Sequence, residues 1–180
     1  MWLKLDVDGI LFHFRISGYR KSTEEWDGEW SREDLTLQSK EWMNYQISND
    51  ELLLMCEIEK LQFKVEALLR DGIESVETME CIEPDLTFVF HPKCDLRNDP
   101  RYTYVAPGHE IVDIDMELSI AFWNEGLTSN RLVMTFDRSD LEKLLCYLKL
   151  IMGKINETDE TVQALIRDGT IYGELGGQKI

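Results

Sequence analysis

The chain has 180 residues, 43% of them hydrophobic and 30% charged, which suits one folded domain and excludes a disordered or collagen-like polymer. Its 19 basic and 35 acidic side chains leave a formal net charge of −16. That balance speaks against nucleic acid and anionic membrane surfaces as partners, because binding to either depends on lysine and arginine. No apolar run approaches the ~18 residues of a spanning helix. Acids stand in Met1–Asp6, where a signal peptide would be apolar, so a cytoplasmic location is expected.

Leu3, Leu5 and Val7 alternate with Lys4 and Asp6, and after Asp8-Gly9 the alternation resumes as Ile10, Phe12, Phe14 and Ile16. Two period-2 runs around an Asp-Gly pair predict a hairpin. A polar stretch from Ser17 to Arg32 leads into an extended region from Asp34 to Ile47. Met55, Ile58, Leu61, Val65, Leu68 and Leu69 then fall on one helical face, with Glu57, Glu59, Lys60, Lys64 and Glu66 opposite. The helix is expected to end at Asp71-Gly72, with glycine as a left-handed cap.

Extended structure returns from Cys81 to Phe90, with a bend at Pro84. Residues 92–109 hold three of the four prolines and read as a loop. Ile114, Met116, Leu118, Ile120 and Phe122 mark the clearest strand, and Leu132, Met134 and Phe136 the next. Ser139 and Glu142 have capping-box spacing ahead of a helix whose buried stripe is Leu141, Leu144, Leu145, Leu148 and Met152. A short helix around Asp159–Arg167 and a glycine-rich tail close the chain. Half-buried strands joined by hairpins imply antiparallel pairing. The expected fold is therefore α+β: a curved antiparallel sheet, or two packed sheets, carrying two main helices. Residues 1–155 read as one domain, and 156–180 as a short helix and tail.

Chemistry-bearing patterns are sparse. The segment from Leu3 to Leu11, with Asp6 and Asp8, resembles the first motif of haloacid-dehalogenase-type phosphatases, in which two aspartates act as nucleophile and acid/base beside magnesium. That motif needs a buried parallel strand followed by a loop and helix, whereas here a second alternating strand starts at once. Asp113, Asp115 and Glu117 share a strand face that could meet a cation or simply water. His91 and Cys94 make an isolated HxxC pair, and the other two histidines add no ligand spacing. Cys56, Cys81, Cys94 and Cys146 stand far apart and read as small buried hydrophobes. No catalytic residue, metal or cofactor is expected.

The acidic charge is concentrated. In residues 24–34, Glu24, Glu25, Asp27, Glu29, Glu33 and Asp34 face a single base, Arg32. Residues 74–85 hold five acids and no base, and residues 110–117 four acids and no base. In the first segment Trp26 and Trp30 bracket Asp27 and Glu29. Aromatic anchors interleaved with carboxylates suit a surface for a basic protein partner, which makes Glu24, Glu25, Trp26, Asp27, Glu29 and Trp30 the candidate binding residues. The rival expectation is that both tryptophans fold back to cap the core.

Four pieces in order carry a family resemblance: Trp26-Asp27-Gly28-Glu29-Trp30, the Glu57–Leu69 helix, the run from Ile82 through Pro84 to Phe88, and the closing helix with Tyr147-Leu148. Together they resemble the WapI-type immunity proteins of bacterial polymorphic-toxin systems, over residues 1 to about 155. Glu29 stands where an asparagine is expected, the 92–109 loop is long, and residues 156–180 are additional. The resemblance implies a protein that stays in the cytoplasm of the producing cell and blocks a cognate toxin, often a nuclease. An acidic inhibitor of a basic nuclease mimics the charge of the substrate and gains association rate from electrostatic steering. The alternative is a housekeeping or regulatory binding module.

Overall fold

The computed structural model describes residues 1–21, 28–40, 42–98, 101, 103–123 and 126–173. The first hairpin forms as the pattern predicts. Strands β1 (Trp2–Val7) and β2 (Ile10–Ser17) pair antiparallel from Val7↔Ile10 to Leu3↔Phe14. Asp8 and Gly9 both take positive φ, at 51° and 83°, as a two-residue turn matched to strand twist requires. The Asp6 carboxylate accepts the Gly9 N–H at 2.9 Å and so closes the turn.

The extended region from Asp34 to Ile47 is two strands, β3 (Arg32–Ser39) and β4 (Met43–Asp50), paired antiparallel. Helix α1 covers Met55–Leu69. Strands β5 (Glu77–Glu80) and β6 (Leu86–His91) flank a turn that contains Pro84. The proline-rich excursion carries a small ribbon of β7 (Cys94–Asp95) and β8 (Ile111–Val112). Strands β9 (Asp115–Trp123) and β10 (Leu127–Phe136) follow, then α2 (Arg138–Ile151), α3 (Glu160–Arg167) and a last short strand, β11 (Ile171–Tyr172).

Two antiparallel sheets result, ordered β11-β1-β2-β3-β4 and β10-β9-β6-β5, and the fold is α+β. Helix α2 lies against β1 of one sheet and β9 and β10 of the other, with α1 packed beside it. Phe12, Phe14, Leu61, Phe88, Phe136 and Leu144 meet where both sheets and both helices converge. The Phe12 and Phe136 rings stand edge to face at 5.4 Å. Fully buried Tyr147 ties α2 to the first sheet, because its hydroxyl accepts the Ile16 N–H at 2.9 Å and donates to the Met1 carbonyl at 3.2 Å. Residues 170–172 are bound into the same sheet. Ile171 is fully buried, Lys4 N–H donates to the Thr170 carbonyl at 2.7 Å, and the Tyr172 ring stacks on Trp2 at 6.2 Å.

Several local expectations need correcting. The left-handed residue after α1 is Asp71 (φ 55°), not Gly72. Gly72 packs closely instead: a Cβ there would lie a tight 3.2 Å from the Ala67 carbonyl oxygen, which accepts the Gly72 N–H. The cap of α2 is Asp137, whose side chain accepts the Asp140 N–H, in place of the Ser139 box. Glu57, assigned to the solvent face of α1, is buried. Among the cysteines Cys81 and Cys146 are buried, while Cys94 is exposed and Cys56 half-buried. Among the described residues no helix is long and apolar enough to cross a membrane.

Candidate partner-docking surface

Glu24, Glu25, Trp26 and Asp27 lie outside the described residues. The return of their loop is described from Gly28 onward. Met55 N–H donates to the Glu29 carbonyl at 2.9 Å, Trp30 forms an isolated antiparallel bridge with Leu54, and Ser31 N–H donates to the Leu53 carbonyl at 3.0 Å. The strand-like return of the acidic loop is thus laid against the residues that open α1. Glu29 is exposed, its carboxylate 3.9 Å from the Arg20 guanidinium. Trp30 is half-buried.

Glu33, Glu57 and Asp85 are buried carboxylates. Glu33 follows the inward period of Leu35 and Leu37 on β3 and is fully buried. Its carboxyl accepts the Leu52 N–H at 3.0 Å and is held by the Ser31 hydroxyl, which also lies 2.7 Å from the Leu53 carbonyl. Ser31 has one proton and two acceptors. A neutral Glu33 carboxyl supplies the missing proton, in keeping with burial, which pushes its pKa up to about 7 against the pull of those hydrogen bonds. Glu57 accepts two backbone groups, Leu54 N–H at 2.9 Å and Ile82 N–H at 2.8 Å, and so joins the start of α1 to the turn before β6. Asp85 accepts the indole N–H of Trp123, and burial raises its pKa. Burial pushes the Cys81 thiol up, and the charge of Glu57, then of Asp85 and Glu33, adds to it.

The described part of the first acidic segment, 28–34, and the second, 74–85, therefore both reach the start of α1, through Glu29 and Ser31 and through Ile82. The third does not. Asp113 is bound by Arg138 through two contacts of 2.8 Å, and Glu117 lies 3.8 Å from His91, near the opposite end of β9. That end is about 27 Å from Trp123 at the ~3.4 Å rise of a strand. Much of the concentrated charge is also committed internally. Asp34 takes the Arg15 guanidinium at 2.6 Å and the Asn49 N–H at 3.1 Å, and Glu77 pairs with Lys64.

A protein-family model, the immunity protein WapI-like family, matches residues 3–156. The chain belongs to this family. Membership supports a toxin-neutralising role in general, with a toxin as the partner. No curated protein matches the chain.

In this WapI-like chain the Asp6 and Asp8 positions serve a turn, Asp6 by capping Gly9 and Asp8 by its left-handed backbone. β1 is paired antiparallel on both sides, with β2 and β11, where the phosphatase motif needs a parallel strand leading into a helix. Reading by charge missed that Glu33 and Glu57 are buried. For Glu33 the signal was present, since it shares the period-2 phase of Leu35 and Leu37. It also missed the apolar surface beside the carboxylates: Ile82, Trp123 and Leu127 are each about half exposed.

Proposed function

We propose that this chain is a non-catalytic, acidic binding protein that neutralises a cognate basic toxin, nuclease-like in charge, inside the cytoplasm of the cell that makes both. The observation that carries this reading is that two acidic segments of a WapI-like chain both reach the start of α1, where a buried carboxylate anchors the backbone. Glu29 and Trp30, with Glu24, Glu25, Trp26 and Asp27 of the same loop, form part of the docking surface. Carboxylates steer a basic domain toward it, and the tryptophans supply buried contact. Asp6 and Asp8 have no catalytic part in this reading.

The test is co-expression with the C-terminal domain of a large secreted protein encoded immediately upstream of this chain, taken as the toxin domain. Cells that carry both should grow where cells with the toxin domain alone do not, and the two purified proteins should form a stoichiometric complex. Rescue without a complex, or phosphatase activity abolished by Asp6→Asn, would refute the binding reading.

A further inference from the structure

Trp123 is a large, half-exposed side chain at the end of β9, yet it is held at two points. Its backbone N–H donates to the Tyr45 hydroxyl at 3.3 Å, and its indole N–H donates to the buried Asp85 carboxylate. Burying a carboxylate is costly unless it is satisfied. Here the cost goes into orienting a ring whose surface stays half in water. An aromatic side chain fixed before binding loses little rotamer freedom when a partner covers it, which is the property of a docking anchor.

Apolar neighbours extend the ring. Leu127 is the cross-strand partner of Trp123, and the Ala121 N–H to Asp85 carbonyl bond, at 2.8 Å, brings the turn with exposed Ile82 alongside. Asp50 is exposed and its charge acts on Asp85, Glu83 is half-buried in the same turn as Ile82, and exposed Glu80 ends β5 just before that turn. Arg131, opposite Ala121 in the ladder, is the cation that acts on Asp85.

We propose that Ile82, Trp123 and Leu127 form an apolar docking surface for a basic protein, with Trp123 as its preset anchor and the surrounding carboxylates as its rim. This deepens the toxin-binding reading above and rests on it. The occupant is argued from charge. A second copy would bring −16 against −16 and an acidic rim against an acidic rim, and phosphate-bearing polymers or anionic lipid meet the same repulsion. A surface rich in lysine and arginine around an apolar socket is complementary.

Binding of the full chain to the neighbouring toxin domain is measured as rates and Kd, with melting temperature and sedimentation for each variant. Trp123→Ala should raise Kd roughly tenfold or more, mainly through faster dissociation, and should lower the melting temperature because it takes the indole N–H from buried Asp85. If Trp123→Ala melts too early to assay, Ile82→Ser tests the same surface and should weaken binding in the same direction. Wild-type binding with both variants within twofold would overturn the surface and leave the toxin-binding reading standing. No wild-type binding would remove that reading and the surface with it. A wild-type dimer that Trp123→Ala dissociates would assign the surface to a second copy and overturn the proposal.

Discussion

Glu33 shows how far a single side chain can depart from its neighbours in sequence. It belongs to an acidic stretch of the sequence, but the inward phase of β3 buries it and holds it at a pKa of about 7. Its ordinary value is near 4.5. Between those two values the folded chain holds a proton that the unfolded chain has released. This contribution to stability is therefore complete below about pH 4.5 and is lost as pH rises toward 7. One proton gives a slope of at most about 1.4 kcal/mol per pH unit. Glu33→Gln keeps an acceptor for Leu52 N–H and a donor for the Ser31 hydroxyl without a titratable proton. Urea denaturation of both proteins from pH 4.5 to 8 should show wild type losing stability relative to Glu33→Gln across this window and running parallel above it. Curves that stay parallel throughout would mean that Glu33 is ionised in the fold.

At the scale of elements, the hairpin register allows a sharp test. Phe12 and Phe14 share the inward phase of β2, opposite Leu5 and Leu3, and both are buried. Phe14→Ala should destabilise the protein by roughly 3–5 kcal/mol in a denaturant melt. A change below about 1 kcal/mol would contradict the packing. Elements with strong local patterns were legible in the sequence: the Asp-Gly hairpin, the α1 and α2 stripes, and β9 with its alternation. What escaped depends on partners distant in the chain. Strand β5 is four residues long, and its one fully buried side chain is Met79, so its pairing with β6 decides it. Strand β11 exists because Ile171 finds a place beside Leu3. The sequence between β3 and β4, Lys40-Glu41-Trp42, has no glycine or proline to announce a reversal. The candidate surface was half legible. Local charge and tryptophan content marked the 24–34 loop, but the approach of the 81–85 turn and Trp123 depends on Glu57 bridging two segments 25 residues apart.

For the whole molecule, the charge distribution separates encounter from retention. Steering is a long-range effect of exposed carboxylates and is screened by salt over about 10 Å at 0.1 M. Retention belongs to groups that become buried in the complex. Replacing Glu24, Glu25 and Asp27 by lysine should therefore slow association with the toxin domain and flatten its dependence on salt. Dissociation and melting temperature should stay nearly constant, because surface charges contribute little to stability. Trp30→Ala should do the reverse: association nearly unchanged, dissociation faster by roughly tenfold or more for a central anchor. Half-buried Trp30 also touches the question of stability, since its backbone bridges Leu54 at the start of α1. That bridge uses main-chain atoms, which alanine retains, so the melting temperature should move little. If Trp30→Ala instead melts early and, once folded, dissociates at the wild-type rate, the ring serves the fold and the loop docks without it.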